Sequence, residues 1–168
     1  SEAVHRMAIA LFWMTLAAYG VGVALVLRRY WISGGWRLAD DWSNANCILH
    51  GALSITGLAA VTMGALRGRI LVALWVVTLV AFALVEAVEL ARLAARVRLL
   101  GWRRAIFVYD TSQWARNFTF GMLVAFTQAL RETAWSHGGY AAPSEFVLTC
   151  GPWLVLLLLV LETTLLAV

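Results

Sequence analysis

His50 is the side chain of widest chemical range in this sequence, and the residues one and more turns beyond it are small: Ser54, Gly57, Val61 and Gly64 follow at spacings of four, three, four and three. On a helix those positions share one face. A face of small side chains lets a bulky or flat partner come close. That partner is either another helix or a lipid-phase cofactor. His50 Nε2 is a candidate axial ligand for a haem or a (bacterio)chlorophyll, and the same groove suits a carotenoid or quinone. His50, Ser54 and Gly57 are the candidate cofactor contacts.

A second set consists of polar groups inside otherwise apolar runs: Asn46, Glu86, Glu89, Arg116, Asn117 and Glu162. Ionisable groups in hydrocarbon are costly, so each implies a partner or a function. Glu89 can pair with Arg92 at i, i+3. As a layer, these groups can tie helices together, hold a quinone head group or relay protons. Glu86, Glu162 and Arg116 are the transport set in the last case. Cys47 and His50, three apart, have metal-ligand types, but no second His or paired Cys lies nearby, so no metal site is expected. No Ser lies in a Gly-x-Ser-x-Gly setting, and neither Gly20-x-Gly22 nor Gly138-Gly139 leads into Lys-Ser/Thr. No complete catalytic set or phosphate loop is therefore expected.

The elements that carry these residues follow from composition. The 168 residues are 62% hydrophobic and 13% charged, with mean hydropathy +0.82, which leaves too little polar surface to cover a water-soluble core. An all-α integral membrane protein of five spans is expected, as one transmembrane domain over 1–168. The spans are placed at 7–27, 46–66, 70–91 with the helix continuing to 98, 114–130 and 145–166. The first run is long enough to cross and lacks a small-residue cleavage site, so it is expected to be retained, with the N-terminus native after loss of Met. Between the first two spans, Tyr30 to Ser43 carries Trp31, Trp36 and Trp42 among Gly and Asp and is expected to lie along the membrane surface. Asp110, with Gln113 three residues on, resembles a capping box for the fourth span.

All thirteen basic residues are Arg, which excludes lysine Schiff-base chemistry. They cluster at the ends of apolar runs, the pattern of membrane flanks and not of a nucleic-acid face. Eight of them (Arg28, Arg29, Arg37, Arg92, Arg96, Arg98, Arg103 and Arg104) fall on one side and four (Arg6, Arg67, Arg69 and Arg131) on the other, Arg116 aside. The bias sets the N-terminus outside and the C-terminus in the cytoplasm of a bacterial inner or plasma membrane. Glu86 then lies about 24 Å along the third span, toward its inner end. Cys47 and Cys150 fall at opposite ends and are expected to be free. His5 and His137 both lie outside, so a bis-His haem within the chain is not expected.

The function expected from these features is that of a non-catalytic integral subunit of a larger membrane complex. Electron transport or light harvesting is the leading setting, with other integral subunits and the bilayer as partners. A small proton or ion transporter is the alternative, and a membrane-embedded lipid or quinol enzyme with His50 as base is the third.

Overall fold

The computed structural model describes residues 2–32, 34, 37–134 and 140–167, and all regular structure among them is helical. Trp36, His137 and the Gly138-Gly139 pair lie outside the described residues. Helix α1 (Glu2–Ile32) is followed by a single turn, α2 (Leu38–Asp41), and by a 3-10 turn (Asn44–Cys47) that leads into α3 (Ile48–Met63). Next come α4 (Gly68–Leu100), the short α5 (Trp102–Ile106), α6 (Ser112–Ala134) and α7 (Ala141–Ala167).

Local chemistry explains the boundaries. Ser43 Oγ accepts the Ala45 N–H at 3.2 Å and so starts the 3-10 turn. Gly64, in the left-handed region at φ 65°, ends α3, and the Ala65 N–H donates to the Ala60 carbonyl at 3.0 Å. This Schellman closure stops the helix at Met63, three residues before the expected end of the second span. The polar turn that follows folds α4 back on α3. At 33 residues, α4 is about 50 Å long, well beyond a hydrocarbon core of about 30 Å.

The capping box expected at Asp110 takes a different form. Asp110 Oδ1 accepts both the Ser112 N–H at 2.9 Å and the Ser112 Oγ–H at 2.8 Å, while Gln113 contributes its backbone N–H to the Asp110 carbonyl. These two bonds from Ser112 hold the Asp110 carboxyl below the usual range. A group with a depressed folded pKa stabilises above its unfolded value of about 4 and loses that contribution as pH falls through the folded value. Asp110→Ala is therefore expected to cost about 1 kcal/mol near neutral pH. The gap from wild type, read by melting in mild detergent, should narrow below pH of about 4; a gap constant with pH would contradict this role.

Helix α6 is the hub. It packs on α3, α4 and α7, while α1 docks on α3, and α4 and α7 do not pack against one another. Four segments are long and apolar enough to cross a membrane: Glu2–Ile32, Asn44–Met63, Gly68–Leu100 and Ala141–Ala167. The fifth expected span, within α6, has the length but not the composition. Its Arg116, Asn117, Thr119 and Thr127 are turned toward neighbouring helices, which lowers its hydropathy without exposing those groups on the outer surface of the bundle.

The half of the bundle near the α3–α4 turn is an apolar core of Phe12, Ala60, Leu71, Trp75, Phe126 and Leu130. Trp75 is wholly buried and donates its indole N–H to Thr127 Oγ1 at 2.9 Å. Both cysteines are free, Cys47 buried and Cys150 exposed.

Candidate functional site

The polar groups gather at the opposite, arginine-rich end of the bundle. One face of α4 carries Trp75, Thr78, Phe82, Val85, Glu89, Arg92 and Arg96 at alternating spacings of three and four, so the stripe that packs as core continues as charge. Glu89 is 5% exposed and is held by two donors: the Trp42 indole N–H reaches Oε1 at 2.7 Å, and Arg92 Nη1 reaches Oε2 at 3.3 Å. Arg92 also donates to Asn44 Oδ1 at 2.8 Å, and Asn44 Nδ2 donates to Ser112 Oγ at 3.0 Å. Four elements are tied through one carboxylate. The expected Glu89–Arg92 pair is present.

Trp42 departs from the expectation of a surface tryptophan. Its ring stacks on Tyr30 at 5.5 Å and is buried, because the indole N–H finds its acceptor inside the bundle. Trp31, by contrast, is 92% exposed. Asn46 Nδ2 donates to Tyr30 Oη at 2.7 Å, which anchors the end of α1 and places Asn46 apart from the carboxylates.

Glu86 receives Arg116 of α6 in a bidentate pair, from Nε at 3.3 Å to Oε1 and from Nη2 to Oε2. His50 lies on the other side of Glu86, with Nε2 4.0 Å from Oε1. The imidazole is fully buried, edge-on to Phe82 at 5.1 Å and stacked on Phe120 at 6.1 Å. Neither ring nitrogen has a hydrogen-bond partner among the described residues. Ser54, also buried, donates to the His50 carbonyl at 3.0 Å.

The small-residue face of α3 is filled by α6. A Cβ at Gly51 would overlap Thr119, and one at Gly57 would overlap the ring of Phe126. A flat macrocycle has no room on that face. Haem or chlorophyll ligation through His50 thus does not fit these residues, and neither does a carotenoid or quinone laid along the same groove.

Space is found elsewhere. A cavity of about 160 Å³ lies between α4, α5, α6 and α7, with Arg92, Arg96, Arg116, Glu89 and Glu162 on its wall. It shares Arg96, Gln113 and Val108 with an adjoining cavity of about 340 Å³ that reaches Asp110. Glu162 is 4% exposed, and its Oε2 has no partner among the described residues; Arg92 Nε is likewise unpartnered. Buried polar atoms without partners are rare and mark an unmet interaction. Leu90 and Leu93 of α4 and Leu158, Leu161 and Leu165 of α7 line the same cavity. Those two helices do not pack together, so the polar wall opens between two rows of leucine.

Asn117 bridges α6 to α7. With its amide turned to match its neighbours, it donates to the Val155 carbonyl at 3.2 Å and accepts the Leu159 N–H at 3.3 Å. The structure thus brings Glu86, Arg116 and His50 together and joins Glu89 to Arg92 and Asn44. Glu162 stands across the cavity, Asn46 is elsewhere, and Ser54 and Gly57 lie at a helix interface. Trp42, Asn44, Ser112 and Arg96 are additional members. The three-four stripe on α4 carried the signal for Arg96, whereas nothing local signals the distant partners of Trp42 and Asn44. No protein family, curated protein or solved structure matches the chain.

Proposed function

We propose that this chain is a non-catalytic, five-span integral membrane protein that holds the polar head group of a lipid-phase amphiphile at its cytoplasmic end. In this reading α6 is the fifth span, its polar side chains shielded by α3, α4 and α7, and the arginine-rich end faces the cytoplasm. The observation that carries the proposal is Glu162 Oε2, without a partner among the described residues, in a charged cavity flanked by leucines of two helices whose backbones do not approach closely. A polar head would occupy the cavity while its tail leaves between α4 and α7 into lipid.

A transport role for Glu86, Glu162 and Arg116 has less support. Arg116, Glu86 and His50 lead away from the cavity, but beyond His50 the core of Phe12, Ala60, Leu71, Trp75, Phe126 and Leu130 is apolar, and the buried hydroxyls of Ser54, Thr78 and Thr127 are each engaged by a backbone carbonyl one turn back. Membrane partners remain part of the proposal, because the backbone of α1 approaches only that of α3, its end is held by Tyr30, and Phe12 is its one buried side chain.

The test is retention. The protein purified in mild detergent is expected to carry about one amphiphile per chain by native mass spectrometry, since the two adjoining cavities share walls and form one site for a head group. Leu161→Trp, which fills the cavity wall, should abolish retention with the melting temperature preserved. Equal retention by wild type and this variant would overturn the assignment.

A further inference from the structure

We infer that the head group held in the α4–α6–α7 cavity is zwitterionic, a phosphate carrying a primary amine, as in an aminophospholipid; the inference rests on the amphiphile reading above. It follows from which charges on the cavity wall are already matched. Glu89 is taken by Arg92, and Glu86 by Arg116, each at hydrogen-bond distance. One cation, Arg96, and one anion, Glu162, remain without a salt bridge among the described residues. Asp110 acts on Arg96 through space but lines only the adjoining cavity and is engaged by Ser112.

A ligand that answers both needs one negative and one positive group. Phosphate accepts from the Arg96 guanidinium and from the spare Arg92 Nε–H, for which planar donors are well suited. A primary ammonium donates to Glu162 Oε2 and cancels a charge that is otherwise costly to bury. Other heads leave one side unmet. A quinone has only acceptors and gives Glu162 nothing. A glycerol head supplies hydroxyl donors but no positive charge, so an anionic lipid adds a negative charge beside an unneutralised carboxylate. A trimethylammonium head is cationic but has no N–H to donate. The leucine rows on α4 and α7 take the first methylenes of the acyl chains, which distinguishes a lipid from a free phosphoamine.

The experiment uses the full chain, stripped of lipid in detergent and then titrated with phosphatidylethanolamine, phosphatidylglycerol, phosphatidylcholine, ubiquinone or soluble glycerophosphoethanolamine. Bound ligand per chain is read by native mass spectrometry. Phosphatidylethanolamine should be preferred over each other ligand by about tenfold or more, the scale of one charge-assisted hydrogen bond. Glu162→Gln should bring phosphatidylethanolamine and phosphatidylglycerol to near parity, since the phosphate contact survives. Arg96→Gln should weaken both.

Equal or tighter binding of phosphatidylglycerol or ubiquinone by wild type, or an unchanged preference in Glu162→Gln, overturns the zwitterion assignment and leaves the amphiphile site standing. Glycerophosphoethanolamine binding as tightly as the lipid overturns the lipid as occupant. Binding of none of the five overturns the amphiphile site itself.

Discussion

Arg116→Leu is expected to destabilise the folded protein by about 3 to 5 kcal/mol, the scale for removing one partner of a buried ion pair. Among the described residues Glu86, its side chain 15% exposed, would keep its charge in the bundle with His50, 4.0 Å away, as its remaining ion-pair neighbour, and His50 is fully buried against Phe82 and Phe120. The loss comes mainly from stranding a carboxylate and much less from losing an attraction. The paired change Glu86→Leu/Arg116→Leu should therefore be much milder than Arg116→Leu alone. That inequality separates a desolvated pair from a solvated one. Surface pairs contribute about 0 to 1 kcal/mol, and both variants would then lie close to wild type. Equilibrium unfolding in mild detergent measures all three forms. If the double variant proves as unstable as the single, the pair is not what holds α4 to α6 at this level.

The helices themselves were legible because each terminator is local. Gly64 and Gly101 both adopt positive φ where α3 and α4 end, and Asp110 caps α6 two residues before Ser112. The continuation of the third helix to about 98 was readable from unbroken periodicity, and α4 runs to Leu100. Apart from the local Glu89–Arg92 pair, which the i, i+3 spacing gave, the polar layer was readable only as a list of types. Which group meets which depends on helix rotation: Glu86 points to α6 while Glu89, three residues on, accepts from Trp42, and Arg92 beyond it reaches Asn44. Hydropathy along one strand of sequence cannot encode that, since the partners lie 30 to 48 residues away. The same blindness affects α6, where low hydropathy reflects a central position among helices. Tryptophan misled for a related reason. An amphipathic ring prefers an interface, but a buried acceptor such as Glu89 or Thr127 satisfies the indole N–H equally well.

Gly57 offers the other large effect, and it discriminates between the two objects that a small-residue face can receive. In a helix interior, Gly→Ala normally stabilises by up to about 1 kcal/mol. At Gly121, where an added Cβ meets nothing within 4 Å, that gain is the expected result of Gly121→Ala. At Gly57 the sign reverses. The added methyl would overlap the Phe126 ring, which is fully buried among Trp75, Leu130 and Ala60 and has nowhere to retreat. Overpacking of this kind costs about 1 to 3 kcal/mol, so Gly57→Ala should lower stability and Gly57→Leu should separate α3 from α6. Since α6 also carries Arg116 and Asn117, the second change should loosen the whole charged end. Phe126→Leu, which vacates the ring position, should relieve Gly57→Ala, giving a strongly non-additive double-mutant cycle. A face built for a pigment would behave differently: Gly57→Ala would displace the ligand and its absorption, while Phe126→Leu would give no relief. Additive effects of Gly57→Ala and Phe126→Leu would sink the helix-contact assignment, because the cycle tests the contact between these two residues directly.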